Sequence, residues 1–367
     1  MDKKFFLEVP DYTVDYINNL KSERGYIFKP ALGGLTEYGE LLSLGFSCYA
    51  LKIYYMTSEW NKLNAEKKKE WINYINSFQL SESDFPINSF IDPYIVKGYK
   101  NLPLKKNINY LIKGSLNFLP SFNFDSKRTD LQKAINAETK QAVATLNEVG
   151  YRNEKEIESK YSDENILGHY LNSLDWSKPW SAGAQFSSIC VFTETQKLNF
   201  YKYLENFISK KANSDTGSYY SRLPSDPREV INGAMKVISG LDWLNIPIHY
   251  PKKLIDYCLS NQPVLEGCDV VDYVYVLYKC SSETNYRRSE INKLFEEIFN
   301  IISSLYVPED GAFSYFVNKS QTHYYGIEIT NGLNRADIHG TTLSLWAIIM
   351  MLKSLDISEK KLKVIKP

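Results

Sequence analysis

Helical periodicity recurs along most of this 367-residue chain and is the feature that most restricts its possible folds. Apolar residues repeat at spacings of three and four positions, which is the pattern of a helix with one buried face. Pro227 and Pro251 suit the first turn of a helix, and Asp337 suits an N-cap. No long run alternates between apolar and polar residues, so we predict an all-α fold with at most small hairpins near 217–220 and 311–317. The predicted helices cover residues 37–55, 66–78, 130–149, 181–192, 195–209, 227–244, 251–260, 269–279, 288–305 and 337–355.

The loops between these helices resemble one another. Gly217, Gly267 and Gly311 follow predicted helices at intervals of 50 and 44 residues. A unit of two helices and a loop that recurs about every 50 residues is typical of helical-hairpin arrays. Such arrays either stack into an open solenoid or close into a ring. The loops that share this character lie at residues 78–90, 208–220, 259–269 and 305–315.

Three glycine-containing turns resemble a known architecture. They are DGAFSY at 310–315, ADIHGTTL at 336–343 and GGLTEYG at 33–39. Together they resemble the turns of the terpenoid-cyclase and protein-prenyltransferase type of α/α barrel, an architecture shared with many polysaccharide lyases, glycan hydrolases and sugar epimerases. The resemblance implies an (α/α) toroid, a closed double ring of helical hairpins with a funnel-shaped cavity at one end. We therefore expect a single domain over residues 1–367, with residues 1–30 as an N-terminal extension packed on the ring.

Composition excludes several classes of partner. The 43 Lys and Arg balance 43 Asp and Glu, which argues against a nucleic-acid binder that must neutralise phosphates. The N-terminus lacks an apolar signal region, and no apolar window is long enough to span a bilayer. Five dispersed cysteines without a CxxC motif are typical of buried thiols in a reducing cytoplasm. Frequent Lys, Asn, Ile and Tyr fit the codon usage of an AT-rich bacterial genome.

No cofactor is expected from the motifs present. The chain has neither a P-loop nor a GxGxxG segment. Cys268, Asp269 and His339 are residue types that bind zinc, but their spacing cannot show that they converge, and we predict no metal site.

Two carboxylates near the start of a predicted helix are the first candidates for acid–base chemistry. Asp269 and Asp272 are three residues apart and share a helix face, with Glu266 just before them. Two close carboxylates raise the pKa of one of them and create a general acid. Class II terpenoid cyclases use a DxDD acid, and the DVVD sequence here departs from that spacing. The alternative is a helix cap followed by one exposed Asp.

The entry to the helix at 337–355 holds further candidates. His339 is suited to general acid or base catalysis near neutral pH, with Asp337 beside it as a further catalytic candidate and Arg335 as a substrate-binding candidate. Alternatively, Asp337 only caps the helix and His339 packs beneath it.

After the DGAFSY turn, His323 with Tyr324 and Tyr325 resembles the Tyr/His acid–base set of several α/α-toroid lyases and epimerases. His323 and Tyr324 are our substrate-binding candidates there. Tyr315 of the turn itself is a catalytic candidate.

Two loops have the residue types of a substrate platform. Arg222 and Arg228 are suited to bidentate binding of a carboxylate or phosphate, and a flat Trp face suits the apolar C–H face of a sugar ring. The alternatives are a solvated loop and Trp side chains that only anchor their loop in the core. The aromatic candidates of these two loops are Trp176, Trp180, Tyr219 and Tyr220.

These features favour a carbohydrate-active enzyme of the lyase, hydrolase or epimerase type, which uses acid–base chemistry on a sugar or glycan in the cavity. Bacterial surface-polysaccharide metabolism is the expected setting, and the expected partner is a small molecule or glycan. One alternative is a terpenoid-cyclase-like enzyme, whose cavity would be dry and apolar with one acid at its top. The other is a non-catalytic binding or scaffold protein, which would lack a cluster of acidic, His, Tyr and Arg side chains. The oligomeric state is not indicated by the sequence.

Overall fold

The computed structural model describes residues 3–81, 84–118, 124–262, 267–357 and 361–367. These residues form sixteen helices: α1 Lys3–Leu20, α2 Glu37–Leu41, α3 Leu44–Met56, α4 Glu59–Lys62, α5 Ala65–Asn76, α6 Pro93–Lys100, α7 Leu104–Leu116, α8 Lys127–Glu148, α9 Glu164–Ser173, α10 Pro179–Thr195, α11 Tyr201–Ser209, α12 Pro227–Leu244, α13 Pro251–Ser260, α14 Cys268–Glu283, α15 Arg288–Ser303 and α16 Ile338–Ser354. Three antiparallel strand pairs complete the described structure: β1 Gln79–Leu80 with β2 Ser89–Phe90, β3 Tyr306–Val307 with β4 Ala312–Phe313, and β5 His323–Tyr324 with β6 Ile327–Glu328.

Six of the described helices form a closed inner ring. In order around the ring they are α3, α8, α10, α12, α14 and α16, and α16 packs back against α3. Neighbouring helices run in the same direction: Asn232 of α12 bonds to Asp269 of α14, and about one turn further Lys236 pairs with Asp272. Successive contacts between α10 and α12 also move toward the C-termini of both helices, so this pair is parallel as well. Parallel inner helices place all their N-termini at one end of the ring.

The closest contact in the ring, between α10 and α12, depends on small residues. A Cβ atom at Gly233 would lie 2.6 Å from the Cβ of Pro179, and one at Gly183 would lie 3.0 Å from the carbonyl oxygen of Gly233. Real side chains do not tolerate such distances, so these glycines allow the two backbones to approach.

Further helices pack outside this ring. α1 contacts α3 and α16, α5 contacts α3, α11 contacts α10, α13 contacts α14, and α15 contacts both α14 and α16. The inner helices are therefore covered on one side by outer helices and face the ring axis on the other. The predicted all-α toroid is confirmed by this double layer. None of the described helices is both long and apolar enough to cross a membrane.

Two helix predictions need correction. The predicted helix at 37–55 is broken into α2 and α3, because the Asp92 carboxylate accepts hydrogen bonds from the backbone amides of Ser43 and Leu44 at 2.9 and 3.2 Å. The predicted helix at 195–209 starts only at Tyr201, since α10 continues to Thr195. Helices α1, α4, α6, α7 and α9 were not predicted.

The strand pairs form in the loops with the repeated character. β1–β2 lies within 78–90, β3–β4 lies within 305–315, and Ala212 bridges to Tyr219 within 208–220. Gly311 turns the β3–β4 hairpin with a φ of +69°, a conformation that favours glycine. Part of the fourth loop, residues 263–266 with the candidate Glu266, lies outside the described residues.

Candidate active site

Each inner helix directs a few side chains toward the ring axis. Tyr49 is the only half-buried residue in the described segment 44–53 of α3, and Lys236 is the only one in the described segment 230–241 of α12. Tyr49 stacks on His339 of α16 and Lys236 pairs with Asp272 of α14, so we infer that their remaining accessibility faces a space enclosed by the inner helices. We call the enclosed space the axial cavity. Its wall includes the half-buried residues Tyr49, Lys140, Lys236, Cys268, Asp269, His339 and Leu343.

Aromatic rings from three parts of the chain meet in this cavity. The His339 ring stacks on Tyr49 with centroids 4.7 Å apart and planes 18° apart, and the Tyr315 ring lies 5.1 Å from it. Tyr315 also reaches α14, where its hydroxyl lies 3.0 Å from Cys268 Sγ. Burial, and then the charges of Lys236 and Lys52, lower the pKa of His339 to about 3. The imidazole is therefore neutral near pH 7.

Asp269 and Asp272 both lie at this site, as their spacing predicts. Asp272 is only 1% exposed, and its Oδ2 atom lies 3.5 Å from the ammonium of Lys236 without making a hydrogen bond in the described structure. Burial raises the pKa of Asp272 to about 6 although Lys236 opposes the shift. Asp269 is half-buried and accepts a 2.7 Å hydrogen bond from Asn232, and burial also raises its pKa. Two carboxylates with raised pKa values therefore share one turn of α14.

Two lysines at the cavity, Lys52 and Lys140, were missed from the sequence. Lys52 lies one turn after Tyr49 on α3 and is buried, while Lys140 donates a 3.0 Å hydrogen bond to Ser187 on α10. Burial, followed by the charges of Lys236 and Lys52, lowers the pKa of Lys140 to about 7. A lysine on a helix normally lies on the solvated face, which is why these were overlooked. The usable signal for Lys52 was a single Lys between apolar residues on both sides, in YALKIYY, whereas Lys140 has polar neighbours in ETKQA and gave no such signal.

Tyr324 packs between α3 and α8 and next to Tyr49. It is buried, and its hydroxyl donates a 3.2 Å hydrogen bond to Glu138, whose pKa is raised well above its usual range by burial. Its ring lies edge-on to Tyr49 at 6.5 Å. The Tyr324 hydroxyl is therefore engaged by Glu138, and its contact with substrate stays a prediction.

Asp337 is a structural residue rather than the predicted catalytic one. Its carboxylate accepts hydrogen bonds from the backbone amides of Gly340 and Tyr315, both at 2.7 Å, and of Gln321 at 3.0 Å. Burial raises its pKa to about 6 in spite of these bonds. The side chain caps α16 and fixes the loop that carries Tyr315, so it holds two cavity residues in place.

Arg335 is also engaged in the turn. Its guanidinium donates to the buried carboxylate of Asp310, with Nε 2.9 Å from Oδ2, and Asp310 also accepts from the Ala336 amide at 2.7 Å. This pair locks the DGAFSY turn, so the predicted substrate contact of Arg335 is corrected to an internal ion pair.

Three aromatic candidates lie in the core instead of on a sugar platform. Trp176 is buried and donates from Nε1 to the Leu171 carbonyl at 3.0 Å, which anchors its loop. Tyr219 and Tyr220 are also buried. The hydroxyl of Tyr219 lies 3.2 Å from the His249 ring nitrogen, and the hydroxyl of Tyr220 lies 2.9 Å from that of Thr216.

Four candidates lie on the outside of the molecule or at the rim. Trp180 and Arg228 are at the N-terminal ends of α10 and α12, the end at which the cavity lies, and Arg228 pairs with Asp226 at 2.8 Å. Arg222 is exposed in the preceding loop, and His323 is exposed on β5. The structure therefore brings Asp269, Asp272, Tyr315 and His339 together, but it does not bring Arg222 or His323 to them.

A second cavity, of about 460 Å³, lies between α8, α10 and α9. Tyr170 donates a 3.2 Å hydrogen bond to Gln185 on its wall, and Lys133 is paired with Asp125 at 2.6 Å. The second cavity includes none of the residues of the axial cavity. The carboxyl, imidazole and phenol groups that are suited to proton transfer line the axial cavity. We therefore regard the axial cavity as the candidate active site. Among the described residues no group of three or more His, Cys, Asp or Glu is placed to hold a metal ion.

No family model matches the chain, and no curated protein matches its sequence. Similar solved structures include a polysaccharide lyase, with 12% identity over 96% of this chain and 98% of that chain and a TM-score of 0.44. They also include the GH76 α-1,6-mannanase of Salegentibacter sp. HEL1_6, with 12% identity, 95% and 99% coverage and a TM-score of 0.44. An inactive variant of that mannanase in complex with α-1,6-mannotetrose has the same identity and coverage and a TM-score of 0.43.

Proposed function

We propose that this chain is a carbohydrate-active enzyme that performs acid–base chemistry on a sugar or glycan in the axial cavity. The observation that carries the proposal is the convergence of Asp269, Asp272, Tyr315 and His339 on one partly accessible, polar cavity inside the ring. The aromatic cluster of Tyr49, His339 and Tyr315 suits the apolar C–H groups of a sugar, and the carboxylates and lysines suit its hydroxyl groups. A place in surface-polysaccharide metabolism fits this substrate class.

The two carboxylates are suited to different roles. Asp272, with a pKa of about 6, retains a protonated fraction near neutral pH and is our candidate general acid. Asp269 is more accessible and is held by Asn232 in an orientation that leaves its other oxygen open. It is our candidate for the base or nucleophile. Neutral His339 and the hydroxyl of Tyr315 supply hydrogen bonds to the same substrate.

The cavity does not have the character that the cyclase alternative requires. A terpenoid cyclase stabilises a carbocation among aromatic faces, in a cavity free of nucleophiles and cations. Lys236 and Lys52 would repel a carbocation, and a neutral amine at Lys140 would react with it. The scaffold alternative predicts no such cluster of titratable groups.

Asp272→Asn tests the proposal directly. The wild type is incubated with soluble mannans, glucans, polyuronates and sulfated glycans, while reducing ends report hydrolysis and ultraviolet absorbance of unsaturated uronates reports elimination. We expect activity on at least one polymer, and a loss of about 10²–10⁴-fold in Asp272→Asn because a general acid contributes that much. Asp215→Asn, at an exposed loop position, is the matched control and is expected to keep full activity. Absence of wild-type activity on all four classes, or full activity of Asp272→Asn, would contradict the proposal.

A further inference from the structure

Among the described helices, α7 is the one whose stability the fold does not explain. None of the residues of Leu104–Leu116 is buried. It is held to the protein by polar contacts: Tyr110 donates to Asp130 at 2.6 Å, and Lys127 donates to Asn107 at 2.9 Å. An isolated helix of this length is only marginally stable in water, and most protein helices are stabilised by packing an apolar face. A further surface is therefore expected to cover α7.

The apolar face of α7 points away from the protein. Leu104 is 76% exposed, Ile108 45%, Leu111 71% and Ile112 56%. Their spacing of four, three and one residues forms a single stripe along the helix. Phe118, just beyond the helix, is 90% exposed. Contiguous exposed apolar side chains of this kind mark an interaction surface.

The charged residues of the chain segment that carries this stripe have one sign. Five lysines and no acidic residue lie between Asp92 and Asp125, although the whole chain has zero net charge. Lys100 and Lys105 are exposed, and no ion pair involves either in the described structure. A symmetric contact between two copies of this helix would bring the lysines of both together, so self-association is electrostatically disfavoured. The five lysines are Lys97, Lys100, Lys105, Lys106 and Lys113.

We propose that α7 docks the protein on an anionic lipid surface, with its apolar stripe inserted at the boundary between headgroups and acyl chains. Amphipathic helices with basic flanks bind in this way by combining apolar burial with attraction to anionic lipids. The helix lies in the plane of the membrane surface and does not cross it. Surface docking would bring the axial cavity close to glycans that are attached to or assembled at a membrane.

Vesicle co-sedimentation tests this inference independently of catalysis. The full chain is mixed with vesicles of phosphatidylcholine alone and of phosphatidylcholine with phosphatidylglycerol. We expect at least tenfold tighter binding to the anionic vesicles, weakened by salt because exposed charges are screened. Leu111→Glu should reduce this binding at least tenfold, and Lys105→Glu should reduce it selectively on anionic vesicles. Leu223→Ser, at an exposed leucine outside α7, should bind like the wild type.

Folding of each variant is checked by circular dichroism, and since Leu111 is exposed its replacement is expected to leave the fold intact. Equal binding to both kinds of vesicle, no binding at all, or unchanged binding of Leu111→Glu would overturn the proposal. A dimer in sedimentation velocity that Leu111→Glu dissociates would also overturn it, and would assign the stripe to a second copy.

Discussion

At the scale of single residues, burial in the ring changes the chemistry of ordinary side chains. The spacing of Asp269 and Asp272 was enough to predict that they share a face, because it depends only on helix geometry. Lys52 and Lys140 could not be assigned to the cavity in this way, since the sequence of α3 or α8 alone does not show which face a closed ring buries. Asp337 was recognised as a cap, but its bonds to Tyr315 and Gln321 depend on contacts between distant loops.

The raised pKa of Asp272 predicts a stability effect that is separate from its catalytic role. The folded state binds this proton up to about pH 6, whereas the unfolded chain releases it near pH 3.8, so stability falls as the pH rises through this interval. Asp272→Asn removes the cost of ionising a buried carboxyl group. The variant should therefore be as stable as the wild type at pH 3.5 but more stable at pH 8, by up to about 3 kcal/mol. Urea unfolding at both pH values measures the difference, with Asp215→Asn as the control. A variant less stable than the wild type at pH 8 would show that the pair with Lys236 outweighs burial.

At the scale of elements, helix existence was more predictable than helix limits. α12 and α13 begin and end where the sequence signals place them, because proline and capping residues act within one turn. The break between α2 and α3 was not predictable, since Asp92 lies about fifty residues from the amides that it caps. α7 was missed although its apolar period is regular, because flanking lysines reduce the contrast between its faces.

The ring's closest helix pair predicts opposite effects for two Gly→Ala substitutions. A methyl group at Gly233 would meet Pro179 at 2.6 Å, so Gly233→Ala should lower the free energy of unfolding by about 1–3 kcal/mol. Gly114, inside α7, has no atom within 4 Å of the added carbon, so Gly114→Ala should raise helix stability by about 0.5–1 kcal/mol. Thermal unfolding of both variants against the wild type is the measurement. A stable Gly233→Ala would mean that α10 and α12 can separate without cost.

At the scale of the whole molecule, the site exists only because the ring closes. Tyr16 of α1 donates a 2.7 Å hydrogen bond to the carbonyl of Ala336, 320 residues away, next to the start of α16. Closure then places α16 against α3 and brings His339 onto Tyr49. Repeated loops in the sequence indicate helical hairpins, but they do not determine whether the array closes or which side chains meet on its axis. The convergence of the candidate site was therefore beyond sequence analysis.

The balance of charge inside the closed ring predicts which sugars the cavity prefers. Lys236 is paired with Asp272, and the charge of Glu148 stabilises Lys52, whereas Lys140 bonds to the neutral hydroxyl of Ser187 and shares the stabilising charge of Asp272 with Lys236. An acidic group on the substrate would supply the missing counter-charge. The parallel inner helices add the positive ends of their dipoles at the same end of the cavity. We therefore expect glucuronate or glucose 6-sulfate to bind at least tenfold tighter than glucose.

Calorimetric titration at pH 6.5 measures this preference. Lys140→Met should abolish it, Lys140→Arg should retain it because the charge is kept, and Lys253→Met, which removes an exposed lysine, should leave it unchanged. Lys140→Gln, which preserves a hydrogen bond to Ser187, replaces the Met variant if that one does not fold. The preference should decline above pH 7, where Lys140 loses its proton in the wild type, and should persist there in Lys140→Arg. Two results would contradict this prediction: equal affinity for the acidic sugars and glucose, or a preference that Lys140→Met leaves unchanged. Either would show that Lys140 needs no partner besides Ser187 and that the cavity selects neutral sugars.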